Sequence, residues 1–146
     1  RMEFSRQPLA ISERLMWSGE IAVARPRAYG VLAGPSPAED YIADEGVLIY
    51  RSTRGLIIIC GCGHRGLINT LRHCQKVTGV QQIYAIIGGL HLRRARPWRI
   101  RQIRQFLHQQ KVEKVMACHC TGSWGRWWLS ADSAPATGDT LVLDQG

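Results

Sequence analysis

The sequence lacks any long apolar run. In 146 residues, no uninterrupted apolar stretch approaches the roughly 18 residues of a membrane-spanning helix. Internal repeats and low-complexity segments are also absent. What remains is a chain long enough for one domain with a real core. Its hydrophobic content of 45% and charged content of 21% are those of a globular protein.

The cysteines do not form the pattern of a disulfide framework. There are five of them, an odd number, and four are crowded into two Cys-x-Cys pairs at positions 60/62 and 118/120. Extracellular disulfide scaffolds use even numbers at wider spacing. We therefore expect a reduced, cytoplasmic setting.

Acidic residues are scarce, with 11 Asp and Glu against 19 Lys and Arg, which gives a net charge of +8 and a pI near 9.8. Such a charge attracts phosphates, nucleic acid or anionic substrates. Six of the arginines lie between positions 93 and 104. This stretch is either a nucleic-acid patch or a solvated helix face. The second reading is favoured because no aromatic platform for stacking bases is interleaved with the arginines.

The apolar pattern changes near residue 46. Residues 1–45 are broken by proline and glycine, and apart from a short strand at Leu15–Trp17 they indicate an irregular connector. From there the periodicities predict β-β-α-β-α-β-(α)-β, with strands at 46–50, 56–60, 83–87, 115–117 and 141–143, helices at 66–78 and from Pro97, and a short helix after Thr121. Alternating strands and helices indicate an α/β domain over 46–146.

Three of the apolar strands end in turns that carry a histidine: His64, His91 and His119. Sites in α/β sheets form where strands end in loops, so the three turns could build one site. Neutral imidazole is a common ligand of zinc, iron and manganese. The alternative for each histidine alone is a hydrogen-bonded loop residue.

A closed structural zinc site is a further alternative, because Cys60, Cys62 and His64 alternate and would face one side of an extended chain. The stretch 118–120 adds more cysteine and histidine ligands. Structural zinc loops, however, space their cysteines by two to four residues. This alternative is therefore less favoured than the open site.

Three sequence blocks carry a family resemblance: CGCGHRGLINT at 60–70, IIGGLHL at 86–92 and ACHCTG at 117–122. In order and spacing they resemble the C-terminal half of a metallo-β-lactamase-fold, metal-dependent hydrolase. The branch they resemble is the dihydropterin–ribofuranosylaminobenzene 5′-phosphate synthase-like one. The resemblance implies half of an αββα sandwich, a mixed sheet flanked by helices with a metal site at its edge.

By this resemblance His64 and His119 are metal ligands, and His91 is a further ligand or a substrate contact. Thr121 and Asn69 lie inside matching blocks and are expected to contact substrate. The implied cofactor is zinc, or another divalent metal such as manganese or iron. The implied reaction is hydrolysis of an ester or phosphoester-type bond in a small anionic substrate, phosphorylated substrates included.

The principal metal motif of that family, His-x-His-x-Asp-His, does not occur in this sequence. We therefore expect the isolated chain to bind metal weakly and to have little activity. The other functions considered are a non-catalytic interaction or assembly module, which would associate with itself or with a missing half, and a basic nucleic-acid-binding protein. No association with a membrane is expected.

Overall fold

The computed structural model describes residues 5–24 and 26–143. These residues form two sheets and three α-helices. The strands are β1 (Leu9–Ala10), β2 (Leu15–Trp17), β3 (Gly30–Leu32), β4 (Ala38–Asp40), β5 (Val47–Ser52), β6 (Gly55–Cys60), β7 (Ile83–Gly88) and β8 (Lys114–Ala117). The helices are α1 (Leu67–Thr78), α2 (Pro97–Gln109) and α3 (Gly122–Leu129), with a 3₁₀ turn at His119–Thr121.

The main sheet is mixed, with six strands in the order β1-β2-β5-β6-β7-β8. Pairing is antiparallel from β1 to β6 and parallel from β6 to β8. The two parallel connections are crossovers through α1 and α2, as parallel strands require. The predicted α/β class, with a mixed sheet flanked by helices, is confirmed.

The apolar patterns of the helices place the main core on one face of the sheet. Leu67, Leu71 and Cys74 of α1 are buried there, together with Ile100 and Ile103 of α2. A left-handed glycine, Gly79 with φ +72°, ends α1, as helix C-termini favour. Pro97 occupies the first turn of α2, where its missing N–H leaves no hydrogen bond unmade.

The opposite face of the sheet has its own, smaller apolar cluster. It contains Ile57, Tyr84 and Ala85, with Leu143 packed against them. The Arg54 guanidinium lies 4.3 Å from the centre of the Tyr84 ring. Ile59, on the same side of β6, remains 38% exposed. This face is thus less completely covered than the helical face.

The N-terminal segment is more regular than the sequence indicates. The predicted strand Leu15–Trp17 is confirmed, and it pairs with β5 at the edge of the main sheet. In addition, β1 extends that edge and β3 with β4 forms a separate hairpin. The strands β1, β3 and β4 have two or three residues each, too few to show a period of two, and they were recognised only by their pairing. Two predicted segments extend beyond the described residues. They are the connector, which includes residues 1–4 and 25, and the α/β domain, which includes residues 144–146.

The predicted strand at 141–143 is wrong, since these residues form no strand in the structure. The chain instead covers the edge of β8 earlier, where Ser133 bridges to Met116. There Ala117 N–H donates to Ser133 O at 3.0 Å, and Asp132 N–H donates to Val115 O at 2.8 Å. With that edge already paired, the apolar stretch Leu141–Leu143 has no ladder to join. Within the described residues, no helix combines the length and hydrophobicity needed to cross a membrane.

Candidate metal-binding site

The three histidine turns meet at one edge of the sheet. Because β6, β7 and β8 are parallel neighbours, their carboxyl ends lie side by side. Backbone hydrogen bonds join the turns directly: Gly89 N–H donates to Gly61 O at 3.2 Å, and Cys118 N–H donates to Gly88 O at 2.8 Å. The predicted convergence of the three turns is therefore what the structure shows.

Glycine is required where the first two turns touch. Gly88 has φ +122°, and a Cβ there would lie 2.0 Å from Cys60 O. A Cβ on Gly89 would lie 2.6 Å from Cys120 Sγ and 2.7 Å from His119 Cε1. Side chains at these two positions would displace the groups that line the edge. The absence of side chains on this Gly-Gly pair thus lets the Cys120 sulfur and the His119 imidazole approach the backbone at the end of β7.

His64 is held by a carboxylate. Glu45 Oε1 lies 2.9 Å from His64 Nδ1 and accepts the His64 backbone N–H at 2.9 Å, while Glu45 Oε2 accepts the Arg65 N–H at 2.7 Å. The Tyr29 hydroxyl donates to His64 O at 3.0 Å. A carboxylate on one ring nitrogen fixes the ring and leaves the other nitrogen, Nε2, for a ligand. This arrangement suits a metal-ligating histidine.

His91 lies against His64. Their ring centres are 4.6 Å apart, and the Tyr29 ring lies 4.8 Å from His64 and 5.2 Å from His91. His91 has φ +50°, a left-handed conformation that is uncommon outside glycine, asparagine and aspartate. Partial desolvation lowers the pKa of His91, and the His64 ring acts in the same direction. Both effects favour the neutral imidazole, which is the form that binds metals.

A cysteine–histidine group lies at the same edge. The ligand atoms of Cys62, His91 and Cys120 lie within 4.8 Å of one another. Cys62 Sγ is 3.7 Å from His91 Nδ1. His91 N–H donates to Cys120 Sγ at 3.2 Å, and the Cys120 thiol donates to Cys62 O at 3.2 Å. Desolvation of the Cys62 thiol raises its pKa to about 12, and the neighbouring Cys120 acts in the same direction.

The remaining predicted site residues lie around this group. His119 begins the 3₁₀ turn, is exposed, and lies beside Gly89. Thr121 is fully buried, and its hydroxyl accepts the Leu90 N–H at 3.1 Å. Asn69 is exposed on α1, and its amide donates to Arg65 O at 3.0 Å. The structure brings the His64 and His91 rings together, and the His119 ring lies next to Gly89, as Cys120 Sγ does.

Sequence reasoning missed the residues that support the histidines. Glu45 lies at the boundary of the predicted connector, and Tyr29 lies within that connector. One signal was available: Glu45 is the last acidic residue before Glu113. The last carboxylate before a long stretch whose charged side chains are all basic is a candidate partner for a cation or an imidazole. Tyr29 carries no comparable signal, because only the path of the N-terminal segment brings it to the site.

The donor set fits a divalent transition metal. Imidazole nitrogen and cysteine sulfur are ligands that zinc and iron accept, whereas magnesium and calcium prefer oxygen. The carboxylate behind His64 supplies the outer-shell contact that such ligands usually have. Cys62, His91 and Cys120 bring their ligand atoms within reach of a single ion, and His64 and His119 lie in the turns that carry these residues.

Comparison with known proteins identifies the fold. A solved structure described as a metal-dependent hydrolase of the β-lactamase superfamily matches with a TM-score of 0.78 and 24% identity, over 92% of this chain and 54% of that one. The chain has a metallo-β-lactamase-like fold. No protein-family profile matches the sequence.

A curated relative from Methanocaldococcus jannaschii is also similar. It is a 7,8-dihydropterin-6-methyl-4-(beta-D-ribofuranosyl)-aminobenzene-5'-phosphate synthase, 37% identical over 83 residues, which is 57% of this chain and 28% of that protein. The resemblance predicted from the three turn blocks is confirmed by the two matches together. The chain spans about half the length of the solved neighbour and under a third of the curated relative.

Proposed function

We propose that this chain supplies part of the active site of a metal-dependent hydrolase that cleaves an ester or phosphoester-type bond. The observation that carries the proposal is the convergence of the His64 and His91 rings, 4.6 Å apart, where three strand-end turns meet. The metallo-β-lactamase-like fold and the name of the solved neighbour, a metal-dependent hydrolase, support it.

Each histidine has a proposed role. His64, through Nε2, and His119 act as ligands, while His91 acts as a ligand or as a substrate contact. Glu45 keeps the His64 ring fixed from behind. A divalent ion in such a site lowers the pKa of a water molecule toward neutrality. Zinc is the proposed ion, with manganese and iron as the other candidates.

The charge around the site favours an anionic substrate. Residues 46–112 contain no Asp or Glu, so all of their formally charged side chains are basic. Arg99 Nη2 lies 3.1 Å from where a Cβ on Gly66 would be, beside the His64 turn. A basic rim raises the local concentration of anions and speeds their encounter. We propose a small anionic substrate, phosphorylated ones included, with Asn69 and Thr121 as candidate contacts.

The isolated chain is expected to be a weak catalyst, because the sequence has no His-x-His-x-Asp-His motif and spans about half of the solved neighbour. The test is hydrolysis of bis(4-nitrophenyl) phosphate and a 4-nitrophenyl ester at high chain concentration, with zinc or manganese added. His64→Ala should lose the metal-dependent turnover, whereas His108→Ala, at an exposed end of α2, should keep it.

Three results would contradict the hydrolase proposal. They are turnover that persists with a chelator, equal turnover in the His64→Ala and unaltered chains, and no metal-dependent turnover on either substrate. Fast turnover by the chain alone would contradict only the expectation that it is a weak catalyst.

All five cysteines are free, and we propose a reducing, cytoplasmic setting for the protein.

An interaction or assembly module is the second candidate function, supported by the exposed Ile59 on the sheet face opposite the main core. This function predicts an association that depends on chain concentration. Sedimentation of the unaltered chain and of Ile59→Lys would test it, with Ile11→Lys, an exposed residue near β1, as the matched control. A monomer at all concentrations would exclude self-association.

A further inference from the structure

The group Cys62, His91 and Cys120 has the dimensions of a metal site within this chain alone. A tetrahedral zinc ion with its sulfur ligand at about 2.3 Å and its nitrogen ligand at about 2.0 Å separates the two by roughly 3.5 Å. The observed distance between Cys62 Sγ and His91 Nδ1 is 3.7 Å. All three ligand atoms lie within 4.8 Å of one another. Small side-chain rotations would therefore suffice to bind an ion.

The backbone holds these donors in place. One ligand comes from each of the three turns, after β6, β7 and β8 respectively. The left-handed conformation of His91, with φ +50°, persists because the surrounding structure fixes it. The His91 N–H and the Cys62 carbonyl both contact Cys120 Sγ, which orients this sulfur toward the other two ligands.

Two sulfurs and one imidazole select the class of ion. Thiolates favour zinc, iron(II) and other borderline or soft metals over magnesium and calcium. Three protein ligands leave a fourth position open for water, for substrate or for a fourth protein ligand. The nearest ring is His64, whose centre is 4.6 Å from that of His91.

We propose that Cys62, His91 and Cys120 form a thiolate-rich site that binds one zinc-class ion in the isolated chain. The site shares His91 with the proposed hydrolase centre but requires neither His64 nor His119. It also needs no residue from outside this chain. The proposal therefore stands or fails separately from the hydrolase activity.

Cobalt(II) is the probe that reports on sulfur ligands. The reduced chain, kept free of oxygen, is titrated with cobalt(II) and its near-ultraviolet absorption is recorded. One equivalent should produce sulfur-to-cobalt charge-transfer absorption, and zinc should displace the cobalt. Cys62→Ser and Cys120→Ser should each lose at least half of this absorption. Cys118→Ser, a neighbouring cysteine outside the group, should keep all of it.

A second measurement avoids variants that fail to fold. In the unaltered chain, zinc should slow the alkylation of Cys62 and Cys120 at least tenfold, as followed by mass spectrometry, while the rate at Cys118 stays unchanged. Absence of charge-transfer absorption, or equal absorption in the Cys62→Ser/Cys120→Ser double variant, would overturn the proposal. So would equal alkylation rates with and without zinc.

The histidine variants separate the two proposals. His64→Ala and His119→Ala should retain the charge-transfer absorption whether or not the chain hydrolyses esters. Loss of the absorption in His91→Ala alone among the histidine variants supports the thiolate-rich site. Visible d–d absorption without sulfur-to-cobalt charge transfer, lost in His64→Ala and kept in Cys62→Ser, would instead place the ion on the imidazoles and overturn the thiolate assignment.

Discussion

At the residue scale, Glu45 organises the His64 turn. Its two carboxylate oxygens contact His64 Nδ1 and the backbone N–H groups of His64 and Arg65, and the side chain is only 10% exposed. A carboxylate in this position sets both the orientation and the basicity of an imidazole ligand. A glutamine of the same shape could still accept a hydrogen bond from the ring, but it has no charge to raise the basicity of the imidazole.

Glu45→Gln should therefore weaken metal binding at His64. We expect a loss of roughly 10- to 100-fold in affinity, the usual result of removing an outer-shell partner. The free energy of unfolding should fall by about 1–3 kcal/mol, because charge-assisted hydrogen bonds are lost. Competition with a chromophoric chelator measures the affinity, with Cys62→Ser/Cys120→Ser present in every chain compared so that the thiolate-rich group does not bind the ion. Glu13→Gln, on an exposed loop, is the matched control, and an equal loss in both variants would show that Glu45 has no special role.

Gly88→Ala tests the close approach of β6 and β7. The added methyl would meet Cys60 O at 2.0 Å, and the φ of +122° is strained for any L side chain. We expect a loss of at least about 2 kcal/mol in unfolding free energy, measured by urea denaturation. Gly61→Ala has open space around its Cβ and should change stability by less than about 0.5 kcal/mol. Similar losses in the two variants would refute the close-approach account.

The sequence allowed His64 and His91 to be placed together because both follow long apolar strands. It did not allow the sulfur of Cys62 to be paired with that of Cys120. That pairing depends on the register of three parallel strands, and on the two glycines that let the turns touch. Tyr29 and Glu45 were missed for the same reason, since their contact with the His64 turn spans 35 and 19 positions of sequence. Contacts of that range leave no local pattern.

At the element scale, the long elements were predictable, whereas three of the four shortest strands were not. The helices α1 and α2 have apolar stripes over 12 and 13 residues, which is enough to establish a helical period. The strands β1, β3 and β4 have two or three residues each and are defined by pairing alone. The stretch 141–143 is the opposite case, because its apolar pattern predicts a strand but it has no free sheet edge to pair with.

The N-terminus of α2 is poorly capped. Arg96 occupies the N-cap position without a side-chain cap hydrogen bond, and the first turn contains no acidic residue. Arg96→Asp should supply both a cap acceptor and a favourable charge at the positive end of the helix dipole. We expect an increase of about 1 kcal/mol in unfolding free energy, measured by urea denaturation.

The control for this change is Arg101→Asp, which makes the same change of charge inside α2. It should stabilise the protein by less than Arg96→Asp, or not at all, because an interior aspartate cannot cap the helix. Equal stabilisation by the two variants would attribute the effect to net charge rather than to capping.

At the scale of the whole molecule, the charge is unevenly distributed along the chain. The segment from Gly46 to Val112 has no acidic residue and contains both crossover helices. The acidic residues lie in the flanking segments, and among the described pairs Glu113 contacts Arg54 and Glu45 contacts His64. The larger part of the fold therefore carries an excess of positive charge.

Salt should stabilise this molecule. Raising sodium chloride from 10 to 200 mM screens repulsion between the basic side chains. We expect the unfolding midpoint to rise by a few degrees, roughly the shift that 1 kcal/mol produces. The double variant Arg101→Gln/Arg104→Gln should show a smaller rise when both proteins are followed by circular dichroism. A midpoint that falls with salt would mean that attractive pairs dominate instead.

The short length of β8 would limit how long an ion stays bound at the proposed thiolate-rich site. With four residues, β8 is shorter than β6 and β7, and it is the strand that carries Cys120 to within reach of Cys62, 58 positions earlier. Brief opening of such an edge is easier than global unfolding, and it would separate the two sulfurs while the rest of the sheet stays intact. An ion bound between them would restrain this edge. Metal release would then follow the fraying of β8 from β7, and amide hydrogen exchange at Cys118, whose N–H donates to Gly88 O of β7, would report its rate.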